Sequence, residues 1–166
     1  MDAIDVIRSL ASSTRSWRER VVYELYENGF HDLSYRPCTG MSAFGWLLAH
    51  QGAAYDYNLN ILIKGGEPKY ADMFYSYRGD STDNGEWKGT SLDDINNYFD
   101  STERDFLEWL ECTTDEELGR TLDGPKVPPY YQGKGIIDAI TDMFAHLNHH
   151  NGHLSAIKSD WLQRMR

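Results

Sequence analysis

Residues 145–154 read AHLNHHNGHL and hold four of the chain's six histidines: His146, His149, His150 and His153. Neutral imidazole is a common ligand for divalent metals. Two histidines at i and i+4 on a helix can supply two adjacent coordination positions. By spacing alone both His146/His150 and His149/His153 qualify, so the choice between them rests on which face of the helix is buried.

At about 100° per residue, a helical wheel separates the four. Ile136, Ile140, Met143, Leu147, Leu154, Ile157 and Trp161 recur at spacings of three and four as one core stripe. His150 falls inside that stripe, and His146 sits on its near edge, roughly 40° away. His149 lies about 100° from His150, outside the apolar face. His153 falls between them. The expected inward pair is therefore His146/His150, with His149 facing solvent and His153 rimming the site.

A second misplaced histidine lies far away in the chain. His50 falls within the apolar series Ala43, Trp46, Leu47, Ala54, Tyr57 and Ile61. A lone histidine on an apolar face is usually a hydrogen-bonded core residue. Three imidazoles converging in one core would be costly as unpaired polar groups, and a divalent cation accounts for all three together. His50, His146 and His150 are thus the candidate metal ligands. Three ligands leave a coordination position open, as in catalytic zinc sites, where a bound water can ionise near pH 7. Tyr57, Trp46 and His153 are candidates to line the pocket. No carboxylate is singled out by spacing as the group that orients an imidazole.

The elements that must position these residues are helical. Ile4, Ile7, Leu10, Trp17, Val21 and Leu25 give residues 2–28 a helical period ending at Asn28-Gly29. A second helix opens near Ser42 and runs to the paired glycines at 65 and 66. Residues 66–90, rich in glycine and aromatics, read as a long ordered loop that could border a site. Ser91 caps a third helix whose apolar face is Leu92, Ile95, Phe99, Phe106 and Leu110, flanked by Tyr98 and Trp109. TTDEEL at 113–118 reads as a short helical turn capped by Thr114. DGPKVPPYYQGKG, with its three prolines, is not helical. The last helix spans Gly135 to Ser159, with DWLQRM a continuation or a separate piece. The expected fold is all-α, a four-helix bundle with long inter-helix loops, in a single domain over residues 1–166.

Composition narrows the function. A net charge of −10 argues against nucleic acid as a partner. Lys158, Arg164 and Arg166 cluster instead where they complement a helix C-terminus. Cys38 and Cys112 form no CxxC pair, and neither has a neighbour that would activate a thiolate. Two isolated cysteines and an N-terminus unlike a signal peptide suggest a cytoplasmic protein. No apolar run approaches the roughly 20 residues needed to span a bilayer.

YRPCTGMSAFGWLLAH at 35–50 and HLNHHNGHLSAI at 146–157 together resemble the DinB-like superfamily, the damage-inducible bundle proteins. In that family the second helix follows a proline- and glycine-bearing loop and reaches a histidine, and the fourth carries a histidine pair. His50, His146 and His150 fall on those positions, while His153 stands where glutamine is common. The resemblance covers nearly the whole chain. It implies a four-helix bundle, often a homodimer, with three histidines holding a divalent metal, zinc or nickel. Characterised relatives include bacillithiol-dependent thiol S-transferases and a mycothiol-dependent maleylpyruvate isomerase. The expectation is therefore a metal-dependent transferase or hydrolase acting on a small-molecule substrate, with a low-molecular-weight thiol as one reactant. A non-catalytic metal-binding or stress-associated protein is the alternative.

Overall fold

The computed structural model describes residues 2–79 and 85–165. Six α-helices carry the described chain: α1 (Ala3–Glu27), α2 (Phe44–Asp56), α3 (Ala71–Tyr77), α4 (Leu92–Glu111), α5 (Asp115–Gly119) and α6 (Ile136–Arg164). A π-helical segment, Tyr57–Ile63, continues α2. Among the described residues the only β-pairing is an isolated bridge between Thr121 and Gly135. No helix there is long and apolar enough to cross a membrane.

The four long helices close into a bundle. α1 packs on α6, α6 on α2, α2 on α4, and α4 returns to α1, so α1 and α2 stand on opposite corners. α2 is the central element, with every residue from Phe44 to Asp56 buried. Two glycines let aromatic neighbours approach its backbone. A Cβ at Gly45 would stand 2.8 Å from Trp87 Cδ1, and one at Gly52 2.8 Å from Tyr98 Cδ1.

Helix termini follow the expected chemistry. The Ser91 hydroxyl accepts from the Asp94 amide at 3.1 Å, and Thr114 accepts from Glu117 at 3.2 Å. α6 runs through Ser159 to Arg164, so DWLQRM continues it. Gly65 ends the second helical run in the left-handed region, at φ +66°.

Two expectations are corrected. The buried stripe of α1 is Ile7, Ala11, Thr14, Arg18, Val21 and Leu25, whereas Leu10 and Trp17 are 39 % and 46 % exposed. The stripe is shifted because Thr14 and Arg18 find partners inside, although Arg18 Nε has none among the described residues. Arg18 donates to Asn96 Oδ1 and stacks on the Phe99 ring at 4.2 Å, while Thr14 meets polar groups of α6. The region 66–90 is also not all loop, since it contains α3. Phe74 and Tyr77, three apart on that helix, are buried; α3 packs on α2. Residues 80–84 of that region lie outside the described residues.

Asp56, buried at the end of α2, ties this region down. Its carboxylate accepts from Asn60 Nδ2 (2.8 Å), the Lys69 amide (2.9 Å) and the Tyr70 amide (3.1 Å). The returning chain is thereby fixed against α2 and delivers α3 to the edge of the histidine cluster.

Candidate metal centre

His50 from α2 and His146 and His150 from α6 meet between those two helices. His50 Nε2 lies 2.9 Å from His146 Nε2, and His150 Nε2 lies 3.1 Å from the same atom. One ligand atom from each of the three lies within 4.8 Å of the others, so the group could hold a metal ion. Metal–nitrogen bonds of 2.0–2.1 Å place neighbouring ligand nitrogens about 2.9–3.4 Å apart for angles between 90° and tetrahedral. The two short contacts fall in that range.

Proton accounting supports the fit. His50 Nδ1 contacts the Tyr77 carbonyl at 2.7 Å. A carbonyl only accepts, so Nδ1 carries the proton and Nε2 presents a lone pair. If His146 is protonated on Nε2, His150 must present its lone pair there. Its own proton then sits on Nδ1, which is buried with no partner among the described residues. If His150 is protonated on Nε2 instead, either two N–H groups face each other or two lone pairs do at 2.9 Å. Without a cation, the one arrangement free of facing like groups makes a single His146 N–H serve two acceptors, whereas a cation accepts all three lone pairs at once. The buried His150 Nδ1–H has no partner among the described residues in either case.

The imidazoles are held neutral, the form that ligates. Burial pushes the His50 pKa down to about 4, against the opposing Tyr77 hydrogen bond. His150 is pushed down to about 2, first by burial and then by the adjoining His50 and His146 rings. His146 is lowered too, by burial and then by His149. Its residue surface is exposed, yet its inner nitrogen lies between the other two rings, which is why burial still dominates there.

The surroundings orient the rings. Trp46 stacks flat on His50, with centroids 4.3 Å apart and planes 13° apart, and meets His150 edge-on. Trp46 therefore backs the cluster. Next in sequence, Gln51 Nε2 donates to Asn151 Oδ1 (2.9 Å), and Asn151 Nδ2 donates to the Thr14 carbonyl (3.1 Å). This buried amide ladder pins α2, α6 and α1 together beside the histidines. His149 is exposed, with its ring against that of His153 at 4.3 Å; His153 is half-buried, 5.4 Å from the His150 ring.

A cavity of about 560 Å³ opens onto the cluster, with His50 and His146 in its wall. Tyr57 lines it, as expected from sequence, together with Ala53, Asn58, Phe74, Arg78, Tyr130, Tyr131 and Asp142. Sequence reasoning missed several of these. Asp142 carried a usable signal, because it precedes His146 by four residues on the same helix face. Arg78 and the two tyrosines gave none, lying at the end of an unexpected helix and in a proline-rich loop.

The class this defines is an all-helical bundle whose core carries a three-histidine cluster that could hold a metal ion beside a cavity. The chain matches the DinB superfamily over residues 31–166 and belongs to that family. Among curated proteins, none matches this chain.

Proposed function

We propose that this protein holds a divalent metal, zinc or nickel, through His50, His146 and His150, and is a metal-dependent enzyme of the thiol S-transferase or hydrolase type. The observation that carries the reading is the convergence of three neutral imidazoles beside a cavity large enough for a small-molecule substrate, with His50 and His146 in its wall. The exposed edge of His146 favours catalysis over sequestration, since it leaves the cluster reachable from the cavity. A cation there would supply Lewis acidity, favouring the ionised form of a thiol or a water near neutral pH. The Tyr77 carbonyl fixes the His50 tautomer, Trp46 fixes its ring plane, and aromatic side chains line the cavity beside them.

Untagged protein should retain about one metal per chain, with His50→Ala losing it. Metal content unchanged after replacing all three histidines would sink the reading. With metal present, low-molecular-weight thiols paired with electrophiles, set beside ester and amide hydrolysis, separate the two chemistries. Absence of turnover in both would favour the non-catalytic alternative. The homodimer also remains part of the proposal, supported by Val6, Leu10 and Trp17, which form one exposed apolar stripe on α1. Light scattering on wild type and Trp17→Glu tests it, and a monomeric wild type would refute it.

A further inference from the structure

We infer that Arg78 is the specificity-determining residue of the cavity, and that the substrate presents to it an oxyanion, carboxylate or phosphate, carried on an apolar or aromatic body. The inference rests on the site proposed above and names the class of molecule that it takes.

Arg78 caps the end of α3, next to Tyr77, whose carbonyl holds His50. The backbone that orients a candidate ligand therefore also delivers a guanidinium to the same cavity. Arg8, Arg15, Arg120 and Arg164 each meet a carboxylate, whereas Arg18 and Arg20, like Arg78, lie over aromatic rings instead. Arg78 has no ion pair among the described residues, and its guanidinium carbon lies over the rings of Tyr75 at 4.8 Å and Phe74 at 6.0 Å. Stacking on rings holds the plane while leaving the N–H edge free for a bidentate acceptor.

The rest of the wall sets the body of the ligand. Tyr57, Phe74, Tyr130 and Tyr131 present aromatic surface. The wall's carboxylate, Asp142, lies on α6 beside Tyr131, a turn before His146, while Arg78 enters from the end of α3, next to Tyr77, whose carbonyl meets His50. The two charges thus enter the cavity from different helices, and an anionic group is directed to the α3 side.

Calorimetric titration of the full chain tests this, both metal-free and metal-loaded, with 3-phenylpropionate, phenyl phosphate and the neutral 3-phenylpropionamide. At least one anion should bind tenfold or more tightly than the amide to the metal-free protein, and the stronger of the two identifies the oxyanion. Arg78→Gln should abolish that preference without changing amide affinity or metal stoichiometry, and Arg78→Lys should keep part of it. Equal affinities for anions and amide, or a preference that survives in Arg78→Gln, would overturn the inference. Because the preference is read without metal, a wild type that binds no metal refutes the metal site while leaving this result to stand or fall separately.

Discussion

Acidifying the metal-free protein from pH 7 to 4.5 should destabilise it through its buried histidines. In the unfolded chain an imidazole titrates near 6.5, so by pH 4.5 nearly all are charged. In the folded chain His50 titrates at about 4 and His150 at about 2, so both stay mostly neutral at that pH. The unfolded state then binds more protons than the folded one. Stability from these groups is complete above pH 6.5 and is lost as the pH falls toward the folded values. Over the interval from pH 7 to 4.5 the loss is about 2–3 kcal/mol per histidine. The two rings interact, so about 5 kcal/mol is the ceiling for the pair. Urea unfolding in the presence of a chelator, at stepped pH, reads the loss. Comparison with His50→Gln/His150→Gln cancels the carboxylates that titrate over the same range. Wild type should lose about 3–5 kcal/mol more than the double variant. Parallel pH profiles for the two proteins would refute the claim that these imidazoles are buried and uncharged.

Other perturbations read the scaffold. Gly52→Ala brings a Cβ to 2.8 Å from Tyr98 Cδ1 and 2.9 Å from Cε1, so it should cost about 1–3 kcal/mol despite alanine's better helix propensity. A thermal melt checks it, and an unchanged or raised Tm would show that Tyr98 moves freely. Asp56→Ala removes the acceptor for three hydrogen bonds and should cost about 2–3 kcal/mol. It should also speed proteolysis between Gly65 and Tyr77, and an unaltered cleavage pattern would show that the carboxylate does not anchor that region.

The candidate site was legible in sequence where polarity conflicted with periodicity. His150 interrupts a stripe of seven apolar residues on α6, and His50 does the same on α2, so both stood out as buried imidazoles. The same method failed on α1. There the interior positions at 14 and 18 are threonine and arginine, which a hydrophobic wheel assigns to solvent. Only the tertiary partners Asn96, Phe99 and Asn148 make them interior, and those partners lie in distant segments. α3 was missed because seven residues show too little period to be read locally; contact with α2 stabilises it. The cavity's Arg78, Tyr130 and Tyr131 depend on where α3 and the proline-rich loop return to the bundle. No local pattern encodes that return.

The π-helical turn after α2 has a consequence for how this chain can change length. A turn closed by i→i+5 hydrogen bonds holds one residue more than the α-turn that would replace it. His50 lies before the segment Tyr57–Ile63, and the Gly65 reversal lies after it. Loss of a single residue inside the segment can be absorbed by converting the wide turn to an α-turn, with the two flanking registers kept. The same deletion anywhere from Phe44 to Asp56 would rotate His50 or its neighbours by about 100°. Single-residue length variation in this helix should therefore accumulate between Tyr57 and Ile63 and be absent upstream of it.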